Sequence, residues 1–238
     1  MVSVTVAGWE PRRNTSHYPP TWSLNYPIMC RSRATLGVPA MTAHRAVFVA
    51  GSVQGKILLV TGGAGAVGHY AVQLASWAGA TVIATVSSSE KADRARAGGA
   101  AHVINYRSED VAERVLDMTG GVGVDHIAEV DFGGNLAATL RCLRVNGSIM
   151  VYASNGDREP KLPVRDLMQK NLTVYSMPLA GVPHQDRKRA QTDIAAWTAT
   201  PGRILSVAAR FPLYKTAAAH KAVEAGGKVG TVVVEPQR

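Results

Sequence analysis

Continuous apolar stretches alternate with segments of helical spacing along most of the chain. The stretch at residues 56–61, KILLVT, is of the kind found in strands buried in a parallel sheet. Similar stretches predict six strands, at residues 56–61, 80–86, 101–106, 124–130, 147–152 and 172–177. Helices are predicted at residues 41–49, 66–79, 89–98, 108–119, 135–143, 164–170 and 185–198. This strict alternation predicts an α/β fold with a doubly wound parallel sheet, because each right-handed crossover needs a helix to return the chain.

The two ends of the chain depart from this pattern. Residues 1–35 have no sustained period and are rich in Pro, Ser, Thr, Asn and Arg, which predicts an irregular leader. Near the other end, two strands at residues 207–211 and 229–234 flank a helix at 215–225 without continuing the alternation. We therefore expect a domain over residues 36–205 and part of a second lobe over residues 206–238, with those last strands in another sheet.

A glycine-rich loop joins the first predicted strand to the helix that follows it. Its spacing, Gly63-x-Gly65-x-x-Gly68, is the dinucleotide-binding fingerprint. Gly65 lets the backbone approach a pyrophosphate, Gly68 lets the helix pack close to the strand, and the helix N-terminus offers free amides. A tight turn without a ligand would have the same glycines, but the strand–loop–helix context favours a cofactor site. Its candidate residues are Gly63, Ala64, Gly65, Ala66, Val67 and Gly68.

The second predicted strand indicates which dinucleotide the loop receives. Sites specific for NAD usually place an acid at its end to bind both ribose hydroxyls. Here the strand is followed by Ser87, Ser88 and Ser89, and Lys91 lies four residues past the first serine. Serine and lysine side chains can donate hydrogen bonds to a 2′-phosphate. Taken alone, Lys91 is equally compatible with a solvated surface lysine. The combination favours NADP(H) over NAD(H).

Composition and charge exclude several other classes of protein. The chain of 238 residues is 46% hydrophobic, enough for one core and a small second lobe, yet no apolar run reaches the length of a membrane span. The N-terminus lacks the order of a signal peptide, so a cytoplasmic protein is expected. Two cysteines, Cys30 and Cys142, are too few for a disulfide framework or a cysteine-rich zinc site. The net charge is +9, and its basic residues are scattered except at Arg12-Arg13, at Arg31 and Arg33, and at residues 187–189. They form no recognisable nucleic-acid-binding motif, so nucleic acid is not the expected partner.

Several longer motifs together resemble one family. They are LGVPAMTAH at 36–44, the glycine loop with VQLA at 72–75, GAAHVINY at 99–106, TGGVGVD at 119–125 and GK at 227–228. In this order they resemble the quinone oxidoreductase (zeta-crystallin-like) branch of the medium-chain dehydrogenase/reductase superfamily, whose members include zinc-type alcohol dehydrogenases. The resemblance implies a Rossmann domain joined to a GroES-like catalytic domain. It also implies zinc-free chemistry, with NADPH as hydride donor to a quinone or enone.

The resemblance further assigns roles to individual positions. It implies that Ala64–Val67 contact the pyrophosphate and that Ser87, Lys91 and Tyr106 surround the adenosine phosphate and ribose. Residues implied along the path to the nicotinamide, or at its end, are Gly133, Met150, Val151, Tyr152, Ala153, Tyr175, Ser176 and Met177. Lys228 is a weaker cofactor candidate, and Tyr106 and Lys228 have alternative interpretations as a strand-end core aromatic and a surface lysine. Members of this family commonly dimerise through the edge formed by the sixth strand, which implies a homodimer here.

The chain also departs from the family pattern. Family members carry most of the catalytic domain ahead of residue 36, whereas this chain has 35 residues there that do not resemble it. A fragment, a misplaced start codon and a natural truncation are all compatible with this sequence. We assign no catalytic residue from the sequence. Four polar residues, Asp125, His126, Glu129 and Asp131, cluster around the fourth predicted strand, but consecutive strand residues point to opposite faces. We therefore interpret them as polar residues at a strand end rather than as a metal site. The main hypothesis is an NADPH-dependent quinone or enone reductase. The alternatives are an NADPH-binding module without turnover and, on basicity alone, an RNA-binding protein.

Overall fold

The computed structural model describes residues 5–6, 35–225 and 229–236. In chain order its strands are β1 (Thr5–Val6), β2 (Ile57–Val60), β3 (Thr81–Val86), β4 (His102–Asn105), β5 (Val124–Glu129), β6 (Leu143–Val151), β7 (Thr173–Ser176), β8 (Val207–Pro212) and β9 (Thr231–Glu235). The helices are α1 (Val38–Phe48), α2 (Gly68–Trp77), α3 (Ser89–Ala97), α4 (Val111–Met118), α5 (Phe132–Cys142), α6 (Val164–Gln169), α7 (His184–Ala199) and α8 (Thr216–Glu224). Short 3₁₀ turns lie at Leu179–Gly181 and Leu213–Lys215.

Six of the strands form one parallel sheet in the order β4-β3-β2-β5-β6-β7. The chain builds outward from β2 in one direction through β3 and β4, then returns to build β5, β6 and β7 on the other side. This confirms the predicted doubly wound α/β fold. In such a sheet the crevice at the carboxyl ends of the two central strands, here β2 and β5, is the usual ligand site.

Apolar residues of the central strands point alternately to two buried layers. In β2, Leu58 and Val60 face α1, α2 and α7, whereas Leu59 faces α4 and α5. All three side chains are 0% exposed. Each such side chain stabilises the fold by about 1.5–3 kcal/mol relative to exposure, so β2 anchors the sheet between both layers.

The start of β6 differs from the sequence prediction. The strand begins at Leu143 rather than at residue 147, and its pairing with β5 shifts register between Val124 and His126. Asn146 lies within it at φ 61, in the left-handed region. Because asparagine in this conformation is typical of a turn, the sequence predicts that the strand begins after it, at Gly147.

The remaining described strands form a separate three-stranded sheet in the order β1-β9-β8. Its β1 lies within the segment expected to be irregular, and Thr5 and Val6 pair in parallel with Val233 and Val234 of β9. The helix α8 packs against this sheet through Ala219. Among the described helices, none is long and apolar enough to cross a membrane.

Candidate functional site

The glycine loop lies where β2 ends, at the carboxyl edge of the six-stranded sheet. Gly62 adopts φ +65, a conformation that side chains other than glycine rarely take. The amide of Gly65 donates to the carbonyl of Gly62 at 2.9 Å, closing a tight turn, and the amide of His69 then donates to the carbonyl of Gly65 at 3.0 Å. The chain therefore reverses within a few residues and enters α2 directly.

Three glycines of the fingerprint have different surroundings. A Cβ on Gly63 would lie 2.7 Å from Cβ of Ala84 on the neighbouring strand. A Cβ on Gly68 would collide with the carbonyl group of Gly62, so this glycine lets the helix approach the strand end. A Cβ on Gly65 would meet only the Gly62 carbonyl oxygen, at 3.2 Å. Packing within the protein therefore constrains Gly65 less than Gly63 and Gly68. The space above Gly65 is open to a ligand.

The first turn of α2 offers a site for an anion. Its N-cap residue is Val67, and no side chain caps the helix. The first amides of a helix have no partner within the helix, and its dipole places partial positive charge there. Ala66 and Val67 are half-buried at this end, whereas Ala64 is buried beneath the loop. The geometry fits a diphosphate group better than a free cation.

A polar cluster lies at the end of the next strand, β3. The Nζ atom of Lys91 donates to Oγ of Ser87 at 2.9 Å, which leaves the hydroxyl proton of Ser87 free to donate elsewhere. Ser88 caps α3, since its Oγ accepts from the amide of Lys91 at 3.4 Å. Tyr106 follows β4, its amide bonded to the carbonyl of Val86, with 51% of the residue exposed. The structure therefore brings Ser87, Ser88, Lys91 and Tyr106 together at one edge of the sheet.

The cofactor candidates in and after β6, and the one after β5, differ in how far they are buried. The amide of Gly133 donates to Oγ of Ser154 at 2.9 Å, and a Cβ there would collide with the backbone of Asp157, so this glycine packs against a loop. Met150 is 1% exposed within the core, and Val151 packs on the opposite face of the sheet. Tyr152 and Ala153 are half-buried where β6 ends. Only the last two have the position expected of residues near a bound ligand.

The cofactor candidates in and after β7 lie at opposite ends of the sheet. Ser176 and Met177 stand at the carboxyl end of the strand, close to the end of β6, because the amide of Met177 donates to the carbonyl of Val151 at 3.4 Å. Tyr175, in contrast, lines a cavity with Lys56 and His126 at the amino end of the strands. Lys228 lies outside the described residues.

Glu129 was interpreted from the sequence as strand-end polarity, but the structure makes it the centre of a hydrogen-bond network. Its Oε1 accepts from Oγ1 of Thr61 at 2.9 Å, the amide of Asp131 at 2.7 Å and Nδ2 of Asn135 at 2.8 Å. Burial raises the pKa of Glu129, and these hydrogen bonds oppose that rise. The carboxyl group ties the ends of β2 and β5 to α5. The only sequence signal was an acid at the end of an apolar strand.

The described residues contain no group of three or more His, Cys, Asp or Glu side chains that could hold a metal ion. His126 is instead bonded to Oγ of Ser148 and the carbonyl of Ala46, each at 2.7 Å. Asp125 accepts from the amide of Ile57 at 2.7 Å and pairs with Arg144 at 2.8 Å. Asp131 accepts from the amides of Asn155 and Gly156, so each member of the strand-end cluster has structural partners.

The fold and the glycine loop define a dinucleotide-binding domain of the Rossmann type, and comparisons with known proteins add the family. The family model described as zinc-binding dehydrogenase matches residues 66–196, more than half of the 238 residues. The chain therefore belongs to the zinc-binding dehydrogenase family.

Individual relatives agree with the quinone oxidoreductase-like branch expected from the motifs. The chain is 36% identical over 211 residues to 2-haloacrylate reductase of Burkholderia sp., covering 86% of this chain and 63% of the relative. It is 27% identical over 203 residues to quinone oxidoreductase of Homo sapiens, covering 84% and 61%. The chain therefore spans about three fifths of the length of these relatives.

Solved structures show the same likeness in three dimensions. The crystal structure of 2-haloacrylate reductase matches with a TM-score of 0.79 at 32% identity, covering 93% of this chain and 69% of that one. Escherichia coli quinone oxidoreductase complexed with NADPH matches with a TM-score of 0.77 at 26% identity, covering 86% and 64%.

Proposed function

We propose that this chain binds NADPH along the carboxyl edge of its six-stranded sheet. The observation that carries the proposal is the Lys91–Ser87 pair where β3 ends, in the place where NAD-specific sites carry an acid. The glycine loop and the uncapped start of α2 would hold the pyrophosphate, and Ser87, Ser88, Lys91 and Tyr106 the adenosine 2′-phosphate and ribose. Tyr152, Ala153, Ser176 and Met177 would flank the nicotinamide end. The complex of Escherichia coli quinone oxidoreductase with NADPH supports this assignment.

We further propose that the protein is an oxidoreductase that reduces a quinone or an electron-poor alkene. Bound NADPH would supply the hydride, and the residues of this chain would bind and orient the cofactor. The similarity to 2-haloacrylate reductase and to quinone oxidoreductase supports this substrate class. We assign no catalytic residue, and we keep the cytoplasm as the expected location.

The decisive experiment combines binding with turnover. NADPH and NADH are titrated by fluorescence, and NADPH oxidation is then followed with a simple quinone and with a 2-haloacrylate. Saturable NADPH binding together with oxidation of NADPH supports the proposed reductase. Binding without oxidation of NADPH by either substrate would identify a cofactor-binding module instead, and the absence of binding would refute both ideas.

Replacing Lys91 by alanine should weaken binding of NADPH more than binding of NADH. The lysine lies next to Ser87 and would contact the phosphate that only NADPH carries, and a charged hydrogen bond contributes about 1.5–3 kcal/mol when buried. Because Lys91 is partly exposed, we expect a loss of about tenfold for NADPH. Lys161→Ala serves as the matched control, since Lys161 is exposed on the loop before α6. Equal losses of affinity for NADPH and NADH in Lys91→Ala would contradict the assignment.

We also propose a homodimer that forms through β7. This strand is an edge of the sheet, and an edge strand leaves one row of backbone groups open to pairing. Large apolar side chains beside it are exposed: Val164 by 58%, Met168 by 74% and Val174 by 40%. Pairing of two β7 strands about a two-fold axis would extend the sheet and cover these side chains.

Placing proline at Val174 should convert this dimer to a monomer without unfolding the domain. The amide of Met177 donates to β6, and amides alternate in direction along a strand, so the amide of Val174 points to the open edge. Proline there removes a donor that only a partner would use. Light scattering at micromolar concentration measures the mass. Val174→Thr keeps the amide and should remain dimeric, and a monomeric parent protein would refute the dimer.

A further inference from the structure

Several side chains in α2, α3, α7 and the segment after α7 have buried polar atoms with no hydrogen-bond partner in the described structure. Unsatisfied buried groups are uncommon in folded proteins and call for an explanation. His69 and Trp197 are 0% exposed and Ser206 is 1% exposed. The unpartnered atoms are Nδ1 and Nε2 of His69, Nε and Nη2 of Arg94, Nε1 of Trp197, Nε of Arg203 and Oγ of Ser206.

Ring contacts and electrostatic interactions link these side chains to Tyr70 or to its neighbours Trp197 and Arg94. The rings of Tyr70 and Trp197 meet edge to face with centroids 5.8 Å apart, and the guanidinium carbon of Arg203 lies 5.7 Å from the centroid of the Trp197 ring. The Tyr70 hydroxyl shares a hydrogen bond with the hydroxyl of Thr35 and lies near the backbone of Ser206. The charge of Arg94 acts on both Tyr70 and His69. We call this set of residues, His69, Tyr70, Arg94, Trp197, Arg203 and Ser206, the Tyr70 cluster.

The Tyr70 cluster is rich in donors and contains no acid. Arginine and tryptophan nitrogens can only donate, whereas hydroxyl and imidazole groups can donate or accept. No salt bridge found within the described ranges involves Arg94 or Arg203. Burial lowers the pKa of the Arg94 guanidinium, and burial together with the charge of Arg94 lowers the pKa of the His69 imidazole, because desolvation disfavours the charged forms. A group of neighbouring donors that includes two arginines and no acid is complementary to an oxyanion.

The cluster also joins the two sheets of the protein. Gln73 of α2 donates from Nε2 to the carbonyl of Ile204 at 3.1 Å, and its Oε1 accepts from the amide of Ile204 at 3.0 Å. The carbonyl of Ser206 accepts from the amide of Thr231, the first residue of β9, at 2.8 Å. A ligand held by Arg94 and Arg203 would therefore cross-link α3 to the segment that leads into β8.

We propose that the Tyr70 cluster is a binding site for a small oxyanion of the phosphate type, separate from the cofactor phosphate site at Ser87 and Lys91. Arg94 and Arg203 are partly exposed and provide the entrance, whereas His69, Trp197 and Ser206 form the buried floor. The two arginines and the indole nitrogen donate to the anion oxygens. The shared chemistry admits free phosphate or a phosphate group on a larger molecule. Anion binding there stabilises the association of the Rossmann domain with the second sheet.

The experiment titrates the full chain with inorganic phosphate while chloride keeps the ionic strength constant. Trp197 is the reporter, because its indole N–H is one of the unpartnered donors. The four tryptophan indole signals are followed by ¹H–¹⁵N NMR, and Trp197→Phe assigns the one of interest. The expected result is a saturable shift of the Trp197 signal, with no shift for Trp77. Absence of a saturable shift overturns the proposal.

Matched variants locate the site. Arg94→Gln removes one charged donor and should weaken phosphate binding by at least about tenfold. Arg96→Gln is the control, since Arg96 lies on the same helix, pairs with Asp93 at 3.0 Å and should leave binding unchanged. Arg203→Gln provides a second test should Arg94→Gln fail to fold. A response that survives in both Arg94→Gln and Arg203→Gln overturns the proposal.

Lys91→Ala separates this site from the cofactor site. If phosphate binds at the Tyr70 cluster, the Trp197 shift persists in this variant with unchanged midpoint. Loss of the shift in Lys91→Ala would place the phosphate at the cofactor site and overturn the proposal. The result does not depend on whether the chain binds NADPH.

Discussion

Gly65→Val is expected to abolish NADPH binding while leaving the fold intact. Gly65 lies outside the left-handed region, so a β-branched residue meets no backbone strain there. Its Cβ would have the Gly62 carbonyl oxygen at 3.2 Å as its only near neighbour, a contact that a shift of a few tenths of an ångström relieves. The valine methyl groups would then project over the loop, where the pyrophosphate approaches the backbone. We expect affinity to fall by at least about hundredfold, or ~2.7 kcal/mol, in a fluorescence titration.

A comparison with Gly68→Ala makes this prediction sharper. A Cβ on Gly68 would collide with the carbonyl oxygen of Gly62 and lie 2.8 Å from its carbonyl carbon, an overlap too large for a shift of a few tenths of an ångström to relieve. Overpacking of this kind costs about 1–3 kcal/mol and occasionally more, so thermal unfolding should shift down in Gly68→Ala but not in Gly65→Val. Normal NADPH affinity in a folded Gly65→Val protein would show that the loop does not hold the pyrophosphate.

The sequence could predict those parts of the site that local spacing determines. The six strands of the main sheet are apolar stretches, and the glycine fingerprint places its loop between the first strand and the first crossover helix. Ser87 and Lys91 could be paired in advance because they are four residues apart at a helix start, and the structure joins them at 2.9 Å. The edge position of β7 follows from the order in which the chain adds strands to a doubly wound sheet.

Features that depend on distant parts of the chain could not be predicted in this way. Gln73 reaches the backbone of Ile204, which is 131 residues away, and this contact helps to build the Tyr70 cluster. The network around Glu129 joins Thr61 to a carboxylate 68 residues later. A two-residue strand such as β1 has no period to recognise, so its pairing with β9 had no signal. Within a single stretch of sequence, these residues look like ordinary helix, strand-end and leader positions.

His69 should make the protein less stable as the pH falls below neutrality. Its burial, reinforced by the charge of Arg94, lowers its pKa from 6.5 to about 4. The unfolded chain therefore binds a proton between these two values while the folded protein does not. The stabilising contribution of the neutral imidazole is fully present above pH 6.5 and is lost progressively as the pH falls to about 4.

The expected loss is about 3 kcal/mol, since one pKa unit corresponds to about 1.4 kcal/mol. The measurement is urea unfolding of the parent and of His69→Leu at a series of pH values in buffers without phosphate. Leucine removes the titrating ring without leaving a lost hydrogen bond, because neither ring nitrogen has a partner. The difference in unfolding free energy between the two proteins should therefore change with pH between 6.5 and 4 and be constant above this range. In Arg94→Gln the pH range over which this difference changes should end at a higher pH, because the Arg94 charge contributes to the lowered pKa of His69. A difference that stays constant from pH 7 to pH 4 would show that His69 titrates alike in the folded and unfolded chains.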